Sequence, residues 1–286
     1  MGFIRTARNH ISKRLNFFRR TRQGAALRNA LGPHAIGVIF DTEFGPMACA
    51  VGDRVIARTL GMKGVWDRKA VEHLSSLIDK NSRILVVGAH IGTLLIPLAR
   101  RAKDVVAFEA NAQTYALLNL NLRMNRADNV VTFNLAAGDA NRTVQFLQNW
   151  VNTGGSKISP KTASYAFTYD RPSTVDVEMV SLDQHLGDQT FELIVLDIEG
   201  AEVLALRGMQ GILSRARYLH MEYLPHLLDG VTGATDEQLL ETVTPHFASV
   251  RIQGTGETFG AKDFPRVLQR LRATGGDDLT FSRAKD

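Results

Sequence analysis

The chain has 286 residues, 44% of them apolar, with a formal net charge of +5. That length suits one α/β domain of about 200 residues with extensions, large enough to bury a core without a metal or disulfide staple. The single cysteine, Cys49, excludes an intramolecular disulfide. It fits a reducing compartment, and with neither a bilayer-length apolar run nor a leader pattern the expected location is the cytoplasm.

The charge is unevenly placed. Residues 1–40 hold eight Arg or Lys and no acid, whereas the other 246 residues hold 26 basic and 29 acidic side chains. This argues against a nucleic-acid surface spread over the domain, so nucleic acid is not the expected partner. Residues 1–35 read as a basic amphipathic arm. Ile4, Ala7, Ile11, Leu15 and Phe18 recur at three- and four-residue steps, and Arg5, Arg8, Lys13, Arg19, Arg20 and Arg22 fill the other faces. Such a helix docks on its own domain or on a second subunit, or lies on an anionic membrane, here the inner membrane surface. Met1-Gly2-Phe3-Ile4-Arg5-Thr6 also fits the myristoylation pattern, a weak match.

Residues 36–80 read as a hairpin and helix packing on the core. Gly37–Phe40 and Met47–Val51 are two short strands joined through Glu43-Phe44-Gly45-Pro46. Asp67 caps a helix whose inner face is Ala70, Val71, Leu74, Leu77 and Ile78. The main domain then runs over 81–286. Ile84–Val87 is a buried parallel strand, followed by a glycine turn and a helix over about 92–102. Val105–Phe108 and Val130–Phe133 are strands flanking a helix over Thr114–Met124. Residues 149–174, rich in Gly, Ser, Thr and Asn, read as a long excursion. Phe191–Leu196 and Tyr218–Met221 are further strands, separated by a helix over Glu202–Leu213. Strands alternating with helices predict an α/β fold: a mostly parallel sheet with helices on both faces.

Four segments carry chemistry. Gly88-Ala89-His90-Ile91-Gly92 follows the first core strand, where bare backbone lets a ligand approach. Its spacing is not that of a dinucleotide fingerprint or a triphosphate loop. Glu109 ends the next strand, ahead of Ala110-Asn111, where a carboxylate can accept from both hydroxyls of a ribose. Small residues in Asn134-Leu135-Ala136-Ala137-Gly138-Asp139 leave a slot for a flat base. Asp197 and Glu199 leave a buried strand, where two carboxylates need donors or a cation nearby; a sulfonium and a hydroxyl nucleophile would suit them. The other reading is that these acids cap the helix beginning near Ala201.

Gly88-Ala89-His90-Ile91-Gly92, Phe108-Glu109-Ala110-Asn111, Asn119-Leu120-Asn121-Leu122-Arg123-Met124-Asn125, Ala136-Ala137-Gly138-Asp139, Ser181-Leu182-Asp183 and Asp197-Ile198-Glu199-Gly200-Ala201-Glu202-Val203-Leu204, with Glu222 later, resemble the FkbM family of methyltransferases in order and spacing over roughly 36–225. The resemblance implies a class I methyltransferase Rossmann-like fold. It also implies S-adenosylmethionine as donor (product S-adenosylhomocysteine) and O-methylation of a sugar, glycan or natural-product hydroxyl. Carried over, Gly88, Ala89 and Gly92, with His90 and Ile91 between them, would line the methionine part. Glu109, with Ala110 and Asn111, would hold the ribose. Ala136 or Ala137 would meet the adenine edge, and Asp197, Glu199 and Glu222 would form an acidic floor near the methyl and supply the base, with His90, His220 and His226 behind them. The chain departs from the usual pattern at Val86, His90 and Val195, where the family commonly has Asp, Asn and Lys. Two or three of the carboxylates could hold Mg²⁺, but the spacing singles out no metal site and none is expected. The alternatives are an RNA or protein methyltransferase using the basic arm, and a non-catalytic module of the same fold.

Overall fold

The computed structural model describes residues 2–284, with side chains from Ser12 onward except Lys13. Met1, where the myristoylation pattern starts, and the side chains of Ile4, Arg5, Ala7, Arg8, Ile11 and Lys13 lie outside the described residues. A helix, α1 (Gly2–Leu31), precedes the hairpin β1 (Gly37–Phe40) and β2 (Met47–Ala50). The main sheet uses β3 (Arg83–Val87), β4 (Asp104–Phe108), β5 (Val130–Phe133), β10 (Leu193–Leu196), β11 (Tyr218–Tyr223), β12 (Ser249–Ile252), β13 (Thr258–Gly260) and β14 (Asp277–Ser282). Their order is β13-β12-β14-β11-β10-β3-β4-β5. Strands β5, β4, β3, β10 and β11 run parallel, and β14 lies antiparallel between β11 and β12. The chain winds outward one way from β3 through β5 and the other way from β10. Ligands in open sheets bind at such a reversal, beyond the strands' carboxyl ends.

Both faces of the sheet are covered. Ile84, Val86, Val105, Ala107, Leu193 and Val195 point to one side and pack with Met47, Ile56, Leu60, Leu74 and Leu118. The alternate residues Leu85, Val87, Val106, Phe108, Ile194 and Leu196 meet Leu206, Ile212, Leu239, Phe264 and Leu271 on the other. The hairpin and the Asp67-capped helix (Arg68–Ser76) therefore share a core with the sheet. Asn121, fully buried, fastens them: its amide accepts from Ala48 N–H at 2.7 Å and donates to the carbonyls of Ala48 and Ile91. The Asn-Leu-Asn-Leu segment thus joins the hairpin to the glycine turn.

Two expectations are corrected. The helix read over Glu202–Leu213 is two, Glu202–Arg207 and Gln210–Leu213. They break at Gly208, where a Cβ would fall 1.8 Å from the Gly138 carbonyl oxygen. The segment around the 149–174 excursion, to which no strands are assigned from sequence, forms a second sheet of β6 (Ala136–Gly138), β7 (Arg142–Gln148), β8 (Lys157–Ile158) and β9 (Ser173–Ser181), ordered β6-β9-β7-β8. The excursion over 149–174 is tied down by Asp170. Its carboxylate accepts from Asn149 Nδ2 and from the backbone N–H of Trp150 and Val151.

Candidate active site

The turn after β3 is built by backbone constraint. Gly88 and Gly92 sit at φ 86° and 93°, the left-handed region that costs glycine least. At Gly88 a Cβ would lie 1.7 Å from the Asp197 carbonyl oxygen. Gly88→Ala is expected to cost roughly 3 kcal/mol or more from strain and overpacking together. A chemical-denaturation midpoint would read the loss. His90 also has positive φ, 49°, and Asn and His are among the few side chains that tolerate this region. His in place of the family's Asn keeps the turn.

Gly88, Ala89, His90, Glu109, Ala110, Ala136, Ala137, Asp197, Glu199 and Glu222 all line one cavity of about 210 Å³ at the carboxyl ends of β3, β4, β10 and β11. Ile91, Gly92 and Asn111 were expected to contact the ligand but do not line it. Ile91 is buried in the core and Gly92 shapes the turn. Asn111 caps the helix Ala112–Met124, and its Oδ1 also accepts from Gln148 Nε2. Sequence reasoning missed the opposite wall, where Thr153, Ser156 and Ile158 reach the cavity from the excursion.

Glu109 accepts at 2.8 Å from two backbone N–H groups, His90 on Oε2 and Asn111 on Oε1. Each oxygen retains lone-pair capacity for a further donor. Burial pushes its carboxyl up to about 7, against the pull of the two N–H bonds. His90 Nε2 lies 2.8 Å from the Thr153 hydroxyl, which donates to Asp53 Oδ2 at 2.7 Å. With that proton spent, the hydroxyl can only accept from His90, which places a proton on Nε2. Burial lowers His90 to about 4, partly offset by Asp53. Asp53 Oδ1 in turn accepts from the N–H groups of Val55, Ile56 and Ala57 at the start of the helix Ile56–Lys63. One hydrogen-bonded chain therefore joins hairpin, excursion and glycine turn.

The far end is acidic. Asp197, Glu199 and Glu222 bring carboxylate oxygens within 4.8 Å of one another. Asp278 on β14 stands opposite Glu222 in register. Asp197 opens onto the cavity but is ringed by protein; burial first, then Glu199 and Asp278, raise it well above the ordinary range. Burial and then Asp197 do the same to Glu222. Burial also raises Glu199, but Lys157 pulls the other way, its Nζ 3.7 Å from Glu199 Oε2. Lys157 is itself buried, donates to the Gly155 carbonyl and lies 5.6 Å from the Phe167 ring centre. The oxygen set would suit a hard cation, but the protein already supplies a positive charge. Glu202, rather than Asp197 or Glu199, accepts from the N–H of Ile198 and Gly200; it holds the turn and does not line the cavity.

Two further expectations change. His220 lies in the core between β11 and β14, its Nδ1 3.0 Å from the Thr280 hydroxyl, and burial lowers it to about 3. It is removed from the cavity, as is His226. Val86 and Val195 are register partners on adjacent strands and both are buried. The departures from the family's Asp and Lys are thus one paired change, an apolar contact standing where two charged side chains would face each other.

A reversing, mostly parallel α/β sheet with helices on both faces is the fold of the class I methyltransferases. The chain belongs to the FkbM methyltransferase family: the family described as "Methyltransferase FkbM domain" matches residues 87–277. Among solved structures it is similar to methyltransferase FkbM from Methylobacillus flagellatus KT, with 17% identity, TM-score 0.43, and 71% of this chain and 44% of that one covered. It is also similar to Trm5b from Pyrococcus abyssi, with 11% identity, TM-score 0.44, and 87% and 56% covered. A third is TYW2 of M. jannaschii in complex with AdoMet, with 12% identity, TM-score 0.44, and 88% and 89% covered. The chain thus spans 44% and 56% of the lengths of the first two. No curated protein matches it by sequence. Among the described residues no helix is long and apolar enough to cross a membrane.

Proposed function

We propose that this protein takes S-adenosylmethionine as donor and methylates a hydroxyl of a sugar, glycan or natural product. The observation that carries the reading is the division of one cavity into two ends. At one, Glu109 offers spare lone pairs beside the small side chains Ala136 and Ala137; at the other, Asp197, Glu199 and Glu222 gather beside Lys157. The donor fits this order: a ribose diol on Glu109, the adenine against the alanines, a sulfonium towards the acids.

The cofactor, when bound, supplies a methyl group already activated by its sulfonium. The chain has to bind it, hold an acceptor oxygen in line, and take the hydroxyl proton. Alignment alone is worth several kcal/mol. Asp197, Glu199 and Glu222 are the base candidates because they line the cavity and burial raises all three above the ordinary carboxylate range, which makes them stronger bases than an exposed acid.

Calorimetry with S-adenosylmethionine and S-adenosylhomocysteine tests the donor, and S-adenosylhomocysteine release with hydroxyl acceptors tests the reaction. No affinity for either compound would sink the reading. Asp197→Asn is expected to lower turnover by about 10²-fold or more while changing cofactor affinity far less. Wild-type turnover would remove Asp197 from the base candidates. Activity is expected to survive a divalent-cation chelator, since Lys157 holds charge at the acidic end.

A further inference from the structure

Among the described side chains, the helix α1 is fixed to the domain along one face. Phe17 stacks on Tyr169 with ring centres 4.3 Å apart and meets Tyr165 edge-on at 6.2 Å. Gly24 packs so closely that a Cβ there would fall 2.5 Å from the Gly52 carbonyl oxygen. Arg28 lies over the Trp150 ring at 5.0 Å. Positions 17, 21, 24 and 28 form one stripe at helical spacing. The expectation that the arm docks on its own domain is met along this stripe.

The opposite stripe has no such cover. Leu15 is 63% and Phe18 57% exposed. A helix held to a domain by one face ordinarily turns polar side chains outward. Here the outward apolar pair is flanked by exposed Arg14 on one side and Arg19 on the other, with Arg22 5.7 Å over the Phe18 ring. No acid occurs before Asp41. We propose that this outward stripe of α1 docks on an anionic lipid bilayer, Leu15 and Phe18 entering the interface and Arg14, Arg19 and Arg22 meeting the headgroups.

Charge and shape choose this occupant. A second copy pairing through the same stripe would set two acid-free cationic helices against each other, which is repulsive. An RNA would satisfy the arginines but leave Leu15 and Phe18 in water. An anionic interface satisfies both, since interfacial helices combine shallow apolar burial with attraction of their basic residues. The docked face rests on Trp150, Tyr165 and Tyr169 of the same excursion that supplies Thr153 and Ile158 to the cavity. Lipid contact would therefore hold that wall of the active site near the membrane.

The test uses the full chain with phosphatidylcholine vesicles, with and without phosphatidylglycerol, in a sedimentation assay. Binding is expected only with the anionic lipid and should weaken with salt. The double variant L15E/F18E should lose about tenfold or more in partitioning with its thermal midpoint unchanged, because neither side chain touches the domain's core. Three results would overturn the proposal: no partitioning onto anionic vesicles at low salt, equal partitioning by L15E/F18E, or a wild-type dimer in light scattering that the variant abolishes. Tight binding to an RNA homopolymer that L15E/F18E weakens, without vesicle binding, would assign the stripe to nucleic acid instead.

Discussion

Lys157→Met is expected to lower turnover by about 10²-fold or more while leaving cofactor affinity within a few fold. The argument starts from electrostatics. Asp197, Glu199 and Glu222 crowd one end of the cavity with Asp278 behind them; burial raises all four, and repulsion from neighbouring carboxylates in the cluster adds to it at Asp197 and Glu222. Among the described residues, Lys157 is the cation that pairs with this cluster, 3.7 Å from Glu199. It keeps Glu199 closer to ionised than burial alone would allow. Methionine fills similar space without the charge, so the cluster takes up a proton and the ionised fraction falls at neutral pH. Lys157 is thus a positioning residue acting through Glu199. The signature is in the pH profile: the acidic limb of kcat should move to higher pH in Lys157→Met and return in Lys157→Arg. A merely structural lysine would lower the thermal midpoint and leave that limb in place. Wild-type turnover and profile in Lys157→Met would refute the role.

This lysine also marks the limit of what the sequence discloses. Strands β3, β4 and β10 are legible because apolar runs such as Leu193–Leu196 have no stable place except between two helical layers. The residues at their carboxyl ends follow automatically, so Gly88, Glu109 and Asp197 could be placed in one cleft from sequence. The second sheet was also within reach: Val175, Val177 and Met179 in β9 alternate with polar residues, a period-two signal. The contacts across the cavity were not legible. Lys157 meets Glu199, and Thr153 meets His90 and Asp53, only because the excursion folds back over the sheet. No local pattern near residue 157 announces an acidic partner 42 positions on. The pairing of Val86 with Val195 is similarly a fact of register. Read singly, each departure is a lost charge; read across the strands, the two remove an opposite-charge pair together. Replacing a buried ion pair by well-packed apolar residues is often neutral or stabilising. The cost falls on chemistry that a lysine at 195 would support, and Lys157 brings an ammonium to the same end of the cavity from the other wall.

Glu109→Ala should weaken S-adenosylmethionine binding by roughly 2–4 kcal/mol, about 30- to 1,000-fold, because two charge-assisted bonds to the ribose are lost. The empty protein carries the complementary signal. Burial raises Glu109 and Glu202 to about 7 from 4.5, so the folded state holds protons that the unfolded state has released. For a carboxyl raised in this way, folding is favoured at low pH, and the advantage is lost as pH climbs through the folded value. The buried histidines act oppositely: His90 and His220, lowered to about 4 and about 3, cost stability as pH falls below their unfolded value of 6.5. In the unfolded state they are half protonated at 6.5 and lose that proton by about pH 8, so over this range they offset part of the carboxyl effect. Between pH 6.5 and 8 stability should fall by roughly 1 kcal/mol through each of Glu109 and Glu202, against a smaller gain of roughly 0.4 kcal/mol from each of the two histidines. Glu109→Ala should flatten that slope by its own share, and saturating cofactor should restore more stability at pH 8 than at 6.5, since an ionised Glu109 is the better acceptor for the diol and an ionised floor the better partner for a cation. Denaturant titrations at the two pH values, with and without S-adenosylhomocysteine, separate the parts. The neutral product shares the ribose but lacks the charge, so Glu109→Ala should weaken it about as much as it weakens the donor. If the product's affinity is untouched while the donor's falls, Glu109 acts on the sulfonium and the ribose assignment is lost.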